Sequence, residues 1–454
     1  MLERVDILEL GLSDLAALYR SGTLRPTDVL NVYAKRLDVG DVYRVLTLDR
    51  ARIQAERADK LLASGAEAGP LLGVPVALKD LIDTRGSVTA AGSKVLAEGA
   101  PAAEDAPVAA RLDAAGAVFL GKTNTVEFAF SGLGLNPHFG TAGNALDPAR
   151  VPGGSSAGSA VAVAGRLAPV ALGTDTGGSV RIPASFNGLV GLKTTNGLIP
   201  KDGVTPLSTT LDTVGPMTRS AQDAWHLLNV LAGRSHAPFK PQVPGILKLL
   251  VPTNVVLDDA NPEVAAAFEK ACANLSAAGH NLSYQAVPEL NDILRLYAQY
   301  GSFANHESLA LYEDVLAHRP DDFDPRVVHR ILQFRGRPAT DYLRLTYARE
   351  RLVRSFWQRY RDHHAVFCPT VAILPPTFEQ VAEDEGYFRY NGLALRNTML
   401  FNFLAGPAVS MPGASAEVDG VTLSVGLMLA TQPGTDAFAL GLGQRVLDSL
   451  RPSA

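Results

Sequence analysis

Two glycine-serine clusters lie close together in this chain, Gly153-Gly154-Ser155-Ser156-Ala157-Gly158-Ser159 and Gly177-Gly178-Ser179, with an apolar stretch at 160–172 between them. Upstream, Lys79 ends the apolar run Gly73-Val74-Pro75-Val76-Ala77-Leu78 and precedes Asp80. Glycine lets backbone N–H groups crowd around a charge, and a serine hydroxyl attacks carbonyls once a base removes its proton. A lysine that loses its charge on burial is such a base. The combination points to acyl transfer. Each feature also has a plainer reading. Gly177-Gly178-Ser179 suits an ordinary turn. The first cluster suits a helix N-cap near Ala157, or a phosphate cradle, though it lacks the lysine of G-x-x-x-x-G-K-[ST] and does not fit G-x-G-x-x-G. Lys79 would snorkel at a strand end or pair with Asp80 or Asp83. Nine histidines offer an alternative base, and His138 in Asn136-Pro137-His138 is the one nearest the clusters, yet none sits in a triad-type motif.

These residues need a scaffold. Residues 1–65 read as helices, with Ser13 and Thr27 as N-caps and Leu15, Leu18, Leu30, Val32 and Leu37 at helical spacing. From Leu71 short apolar runs at 74–78, 117–120, 169–172 and 189–192 alternate with helical stretches and glycine turns, as in a sheet covered by helices. Residues 168–175 form a strand entering the second cluster, which would bend its N–H groups into an oxyanion hole before a helix that starts near Val180. Residues 234–246, punctuated by prolines, make the best internal boundary. Helices follow at 261–278, 290–318 and 326–362, strands return at 365–367, 408–411 and 423–429, and a last helix spans 436–450. The expected fold is therefore α/β: one large domain with a central mixed, mostly parallel twisted sheet and helices on both faces. Along it lie N-terminal helices (1–65), a catalytic core (71–225), a mainly helical substrate-side insertion (247–362) and a return to the sheet with the last helix (363–454).

The 454 residues are 47% apolar and 19% charged, with net charge −5, which argues against a nucleic-acid-binding surface. Two cysteines, Cys272 and Cys368, offer neither a disulfide framework nor zinc spacing. The start Met1-Leu2-Glu3-Arg4-Val5-Asp6 lacks the pattern of a secretory signal, and no apolar run reaches the ~18 residues of a membrane helix. A cytoplasmic enzyme without metal or cofactor is expected, with a small-molecule partner, no nucleic acid and no membrane; a homodimer is left open.

Taken together, Lys79, Gly153-Gly154-Ser155-Ser156, the run Gly173-Thr174-Asp175-Thr176-Gly177-Gly178-Ser179-Val180-Arg181-Ile182-Pro183 and Gly188-Leu189-Val190-Gly191-Leu192-Lys193 resemble the amidase signature family. So do Gly121-Lys122-Thr123-Asn124, Glu127-Phe128-Ala129 and Asp212-Thr213-Val214-Gly215-Pro216-Met217. The match runs from about Gly73 to Asp223, with weaker likeness at Phe367-Cys368-Pro369-Thr370 and from Phe401-Asn402 to Pro412. The resemblance implies the family's fold and a Ser-cisSer-Lys triad, with Ser179 as nucleophile, Ser155 on a cis peptide as bridge and Lys79 as base. It implies an oxyanion hole from the N–H groups of Thr176, Gly177, Gly178 and Ser179. Ser156 and Ser159 would support Ser155, and Asp175 and Arg181 would hold the bend of the nucleophile turn. Ala157 and Thr194 depart from the common pattern and touch no triad position.

The implied function is hydrolysis of a carboxylic amide to an acid and ammonia or an amine. The alternative is the glutaminase (A) subunit of a tRNA-dependent glutamyl/aspartyl amidotransferase, whose carboxylate-binding arginine Arg330 would match. Leu395 aligns where that protein has an amine-binding aspartate, so hydrolase is the favoured reading. Substrate choice would rest on segments 131–142, 297–330 and 387–400. Phe128, Ser131 and Arg330 are the candidate substrate contacts, and Phe130, Leu133, Phe139 and Tyr390 further candidate walls.

Overall fold

Short, largely apolar segments at the heart of the chain form strands buried on both faces. The computed structural model describes residues 6–65, 69–235 and 237–451. Residues 1–5, which carry most of the signal-peptide reading, and residue 236 of the proline-rich connection lie outside them. Eleven strands occur among the described residues: β1 Tyr43–Leu46, β2 Pro75–Lys79, β3 Val118–Thr123, β4 Val170–Asp175, β5 Val190–Lys193, β6 Thr213–Thr218, β7 Lys248–Pro252, β8 Asn281–Gln285, β9 Ala365–Pro369, β10 Ala408–Val418 and β11 Val421–Ala430. They build one sheet in the order β1-β3-β2-β4-β6-β5-β10-β11-β9-β7-β8. The fold is a single α/β domain with a large mixed sheet flanked by helices.

The expectation of a mostly parallel sheet is corrected. β2 runs parallel to β3 and β4, and β7 parallel to β8 and β9, but the other six pairings are antiparallel. Parallel pairs adjacent in the chain are joined through helices, Pro107–Ala114 between β2 and β3 and Pro262–Ala277 between β7 and β8, and the helix Ala157–Ala164 leads from β3 to β4 on the other side of β2. Elsewhere the connections favour reversal. At β10–β11 the residues Asp419 and Gly420 both take positive φ, and this two-residue turn closes a hairpin in which Val418 faces Val421.

Several local expectations also change. The segment 43–46 is an edge strand inside a region read as helical, paired antiparallel with β3. The first helix, Leu12–Arg20, begins after Gly11, so Ser13 lies in its first turn; the carboxylate of Asp223 accepts from Leu12 N, Ser13 N and Ser13 Oγ and caps the helix from a distant segment. The second, Pro26–Ala34, starts on proline, and Thr27 donates to Asp59. The stretch 290–318 breaks into helices Pro288–Tyr300 and Phe303–His318 at Gly301, whose φ of 85° no ordinary residue takes cheaply. The stretch 326–362 likewise splits into Pro325–Leu332 and Ala339–Arg359. The last helix occupies Asp436–Leu450 as expected.

Candidate active site

The functional side chains come from the ends of two neighbouring parallel strands and from the loop between them. Lys79 is the last residue of β2, and Thr174 and Asp175 end β4. The register Leu78↔Leu172 sets Lys79 one step further along, beside Gly173 and Thr174. Ser155 lies in the loop before the helix Ala157–Ala164, and its peptide bond to Gly154 is cis. A Cβ on Gly173 would stand 2.6 Å from Ser156 Oγ, so only glycine lets the two clusters approach this closely. Ser156 N donates to Ser179 O at 3.2 Å and ties one cluster to the other.

Lys79 Nζ lies 2.7 Å from Ser155 Oγ and 2.9 Å from Thr174 Oγ1, all buried. Asp80 does not pair with Lys79. It turns to Lys122, at 2.9 Å, and Asp83 accepts from Thr89. Burial therefore acts on Lys79 without a contacting carboxylate and pulls its ammonium down to about 7, although Asp212 and Asp175 oppose part of that fall. Near neutral pH a large fraction of Lys79 is the free amine. His138 sits elsewhere, beside Glu127 at 3.4 Å, and among the described residues no histidine lines the pocket that Ser179 faces.

After β4 the chain bends through Thr176, Gly177 and Gly178, the last at φ 140°, into Ser179 and the helix Arg181–Phe186. The N–H groups of Gly177, Gly178 and Ser179 find no acceptor among the described residues, while Gly177 O accepts from Thr398 Oγ1 at 2.6 Å and Gly178 O from Ile182 N at 2.7 Å. The turn is thus fixed by its carbonyls and leaves its donors free. Arg181 holds it from below. Its Nε and Nη2 each lie 2.9 Å from the Asp175 carboxylate, its Nη2 also reaches Asn402 Oδ1 and Thr398 O, and Asn402 Nδ2 returns to Asp175. Burial alone would raise the Asp175 carboxyl, but Arg181 and Asn402 outweigh it and hold it down to about 2. Its charge therefore supports the fold above the ordinary carboxylate range, and that support is lost as pH falls toward 2. Both side chains are fully buried. Arg181→Ala is expected to lose about 3–5 kcal/mol of stability, read as a lower denaturant midpoint, because it strands a buried carboxylate.

A pocket of about 70 Å³ opens over this turn, and Thr176, Gly177, Ser179, Ser131 and Arg330 line it. Leu207, Leu211, Tyr297, Leu395 and Met399 give it apolar walls. Four hydroxyls of serine or threonine face it, and three are committed: Ser131 Oγ to Asn391 Oδ1 and Leu133 N, Thr176 Oγ1 to Asp212, and Ser302 Oγ to Asn305 Oδ1. Ser179 Oγ alone has no protein partner among the described residues. Phe128 is corrected as a substrate contact. Its φ of 49° turns it away, to stack at 4.1 Å on Tyr312, and Ala129 and Phe130 form that wall instead. Leu133, Phe139 and Tyr390 are also absent from the lining. Arg330 donates to Phe130 O at 2.7 Å and stands 4.3 Å over the Phe130 ring, with no carboxylate in ion-pair range among the described residues.

Sequence reasoning gave no site role to Thr174, Asp212 or Asn402, and nothing in their spacing singles them out. Thr174 could have been found from strand pairing, since the parallel register sets it near Lys79.

The Amidase family model matches residues 30–440. The chain belongs to the amidase family. Among amidase-family relatives, 2-amino-5-chloromuconic acid deaminase of Comamonas testosteroni is 38% identical over 409 residues, covering 88% of this chain and 87% of that protein. The A subunit of glutamyl-tRNA(Gln) amidotransferase from Synechococcus sp. (strain WH7803) is 35% identical over 417 residues, covering 84% and 85%. A solved amidase structure superposes with a TM-score of 0.86 at 32% identity, covering 97% of this chain and all of that one. As an amidase-family enzyme the protein is a hydrolase of carbon–nitrogen bonds. Among the described residues no helix is long and apolar enough to cross a membrane.

Proposed function

We propose that this amidase cleaves a small carboxylic amide whose acyl part carries a carboxylate, through an acyl-enzyme on Ser179. The observation that carries the chemistry is the buried contact of 2.7 Å between Lys79 Nζ and Ser155 Oγ, beside Ser179, the one uncommitted serine or threonine hydroxyl in the pocket among the described residues. In this reading the neutral amine of Lys79 takes the proton of Ser155 as Ser155 takes that of Ser179. Ser179 Oγ bonds to the amide carbon, and the carbonyl oxygen gathers charge against the N–H groups of Thr176, Gly177, Gly178 and Ser179. Collapse breaks the C–N bond as Ser155 returns a proton to the leaving nitrogen and recovers one from Lys79. Water then attacks the ester by the same steps, releasing the acid and restoring Ser179. No bond joins Ser155 Oγ to Ser179 Oγ in the free enzyme, and such contacts tighten when substrate binds. Ser156, which bonds the strand end at Thr174, supports the position of Ser155, and Asp175 and Arg181 support that of Ser179.

The carboxylate in the substrate follows from Arg330. A guanidinium on an apolar pocket wall without an acidic neighbour favours an anionic ligand group, and the name of the Comamonas relative denotes an acid. Ser131 would stand beside it. The amidotransferase relatives favour the second reading, glutamine as substrate with a partner chain. Against it stands the apolar side chain of Leu395, since among the described residues the pocket lining offers a cation for a carboxylate but no anion for an ammonium group.

The test is ammonia release by the isolated chain from half-amides of short dicarboxylic acids, glutamine, asparagine, neutral aliphatic amides and aryl amides. Half-amides are expected to be the best substrates. Arg330→Ala is expected to lower kcat/KM for them by about 10–100-fold while leaving neutral amides near the wild-type value. Glutamine turnover appearing only with added partner proteins would support the second reading.

A further inference from the structure

Two carboxylates act on the Lys79 amine, and they are not equivalent. Asp175 is bound on both oxygens by Arg181 and Asn402, so its charge is spent on that cation. Asp212 has no cation in ion-pair range among the described residues. Its carboxylate accepts only from uncharged donors: Thr176 Oγ1, Leu207 N at 2.9 Å and Ser208 N at 3.0 Å. It immediately precedes β6, and with Thr174, whose hydroxyl contacts Lys79 Nζ, it lines a second cavity of about 340 Å³. Lys201, Asp202 and Thr209 stand around the same cavity, as does Pro206, whose carbonyl accepts from the Tyr312 hydroxyl.

This constellation has a place in the proposed reaction. When Ser155 surrenders its proton, an ammonium forms at Lys79 where burial penalises charge. An unneutralised carboxylate that lines the same cavity as Thr174, the hydroxyl partner of Lys79, stabilises that ammonium as it appears. The same side chain joins the wall loop carrying Leu207 and Leu211 to the first residue of the oxyanion turn. We propose that Asp212 is a positioning residue for amide cleavage, the counter-charge of the Lys79 ammonium and the clamp between the wall loop and Thr176. The inference rests on the Lys79 base assignment. Burial raises the Asp212 carboxyl to about 6 despite its three donors and Lys201, so the charge is present where Lys79 titrates.

The test compares pH profiles of kcat/KM on a neutral amide. The acid limb of the wild type is expected near pH 7. Asp212→Asn keeps the shape but removes the charge, so Lys79 holds its proton less tightly. The midpoint is expected to move to lower pH by about one unit, with plateau kcat down about 10-fold. Ser208→Ala loosens the wall loop, since Ser208 Oγ donates to Glu307, yet leaves the charge; KM should rise with the midpoint fixed. Thr209→Lys keeps Asp212 and brings a cation to the cavity, and it is expected to lower the midpoint in the same direction, which covers the case that Asp212→Asn does not fold. A midpoint unmoved in both charge variants would overturn the role of Asp212 alone. A wild-type profile flat through pH 7 would overturn the Lys79 base and this inference with it.

Discussion

The Ser179→Ala enzyme is expected to release ammonia at least about 10⁴-fold more slowly than the wild type while binding its substrate with little change. The size of the effect follows from the inventory of the pocket. Ser131, Thr176 and Ser302 hold their hydroxyls in bonds to Asn391, Asp212 and Asn305, so none is placed to take over the attack. The variant keeps the N–H groups of the turn, because Gly177 O and Gly178 O still fix its path. Binding and a residual rate from oxyanion stabilisation should therefore survive. A slow ester substrate adds a second readout: the wild type should gain the mass of the acyl group and the variant should not. Full turnover by the variant, or an unchanged adduct, would end the Ser179 assignment.

Replacement of Lys79 by alanine is expected to be almost as severe at neutral pH, about 10³–10⁴-fold in kcat, and less severe in strong base. The sign follows from burial. The amine's proton affinity is pulled down to about 7, so wild-type activity rises as pH passes through that value and the neutral base fills. With alanine the limb near 7 should vanish, leaving a rate that climbs with hydroxide. The gap between the two enzymes then narrows toward high pH. Equal losses at neutral pH and in strong base would exclude Lys79 as the base.

Much of this site was legible because its strands are buried on both faces. β2, β3, β4 and β5 read as short apolar runs between glycine turns, and the ends of β2 and β4 carry Lys79, Thr174 and Asp175. The illegible parts have definite causes. β1 and β8 are edge strands with half-exposed residues, and neither keeps an apolar run. β6 contains Gly215 and Pro216, residues that weaken a strand pattern, yet it lies between β4 and β5 inside the sheet. The helix Asp384–Phe403 buries Asn391, Asn397 and Asn402 among its polar residues, so its pattern resembled a variable segment. Phe128 shows the limit most plainly. An aromatic residue beside the site was a fair candidate wall, but a positive φ, invisible in residue type, sends it into the core. Asp212 stood in a recognisable motif without a role, because its role depends on Thr176 and Thr174, which the fold alone brings near it.

The position of β10 bears on how the molecule is made. It pairs with β5 on one side and β11 on the other, so residues more than 200 positions apart meet in the middle of the sheet. While the ribosome is still synthesising the segment between them, the hydrogen-bonding edge of β5 has nothing to pair with. Nascent chains of this enzyme thus expose an apolar strand edge for much of their synthesis, and such edges invite pairing with other chains. Closure of the sheet is a late event, completed only when residues near 430 have cleared the exit tunnel.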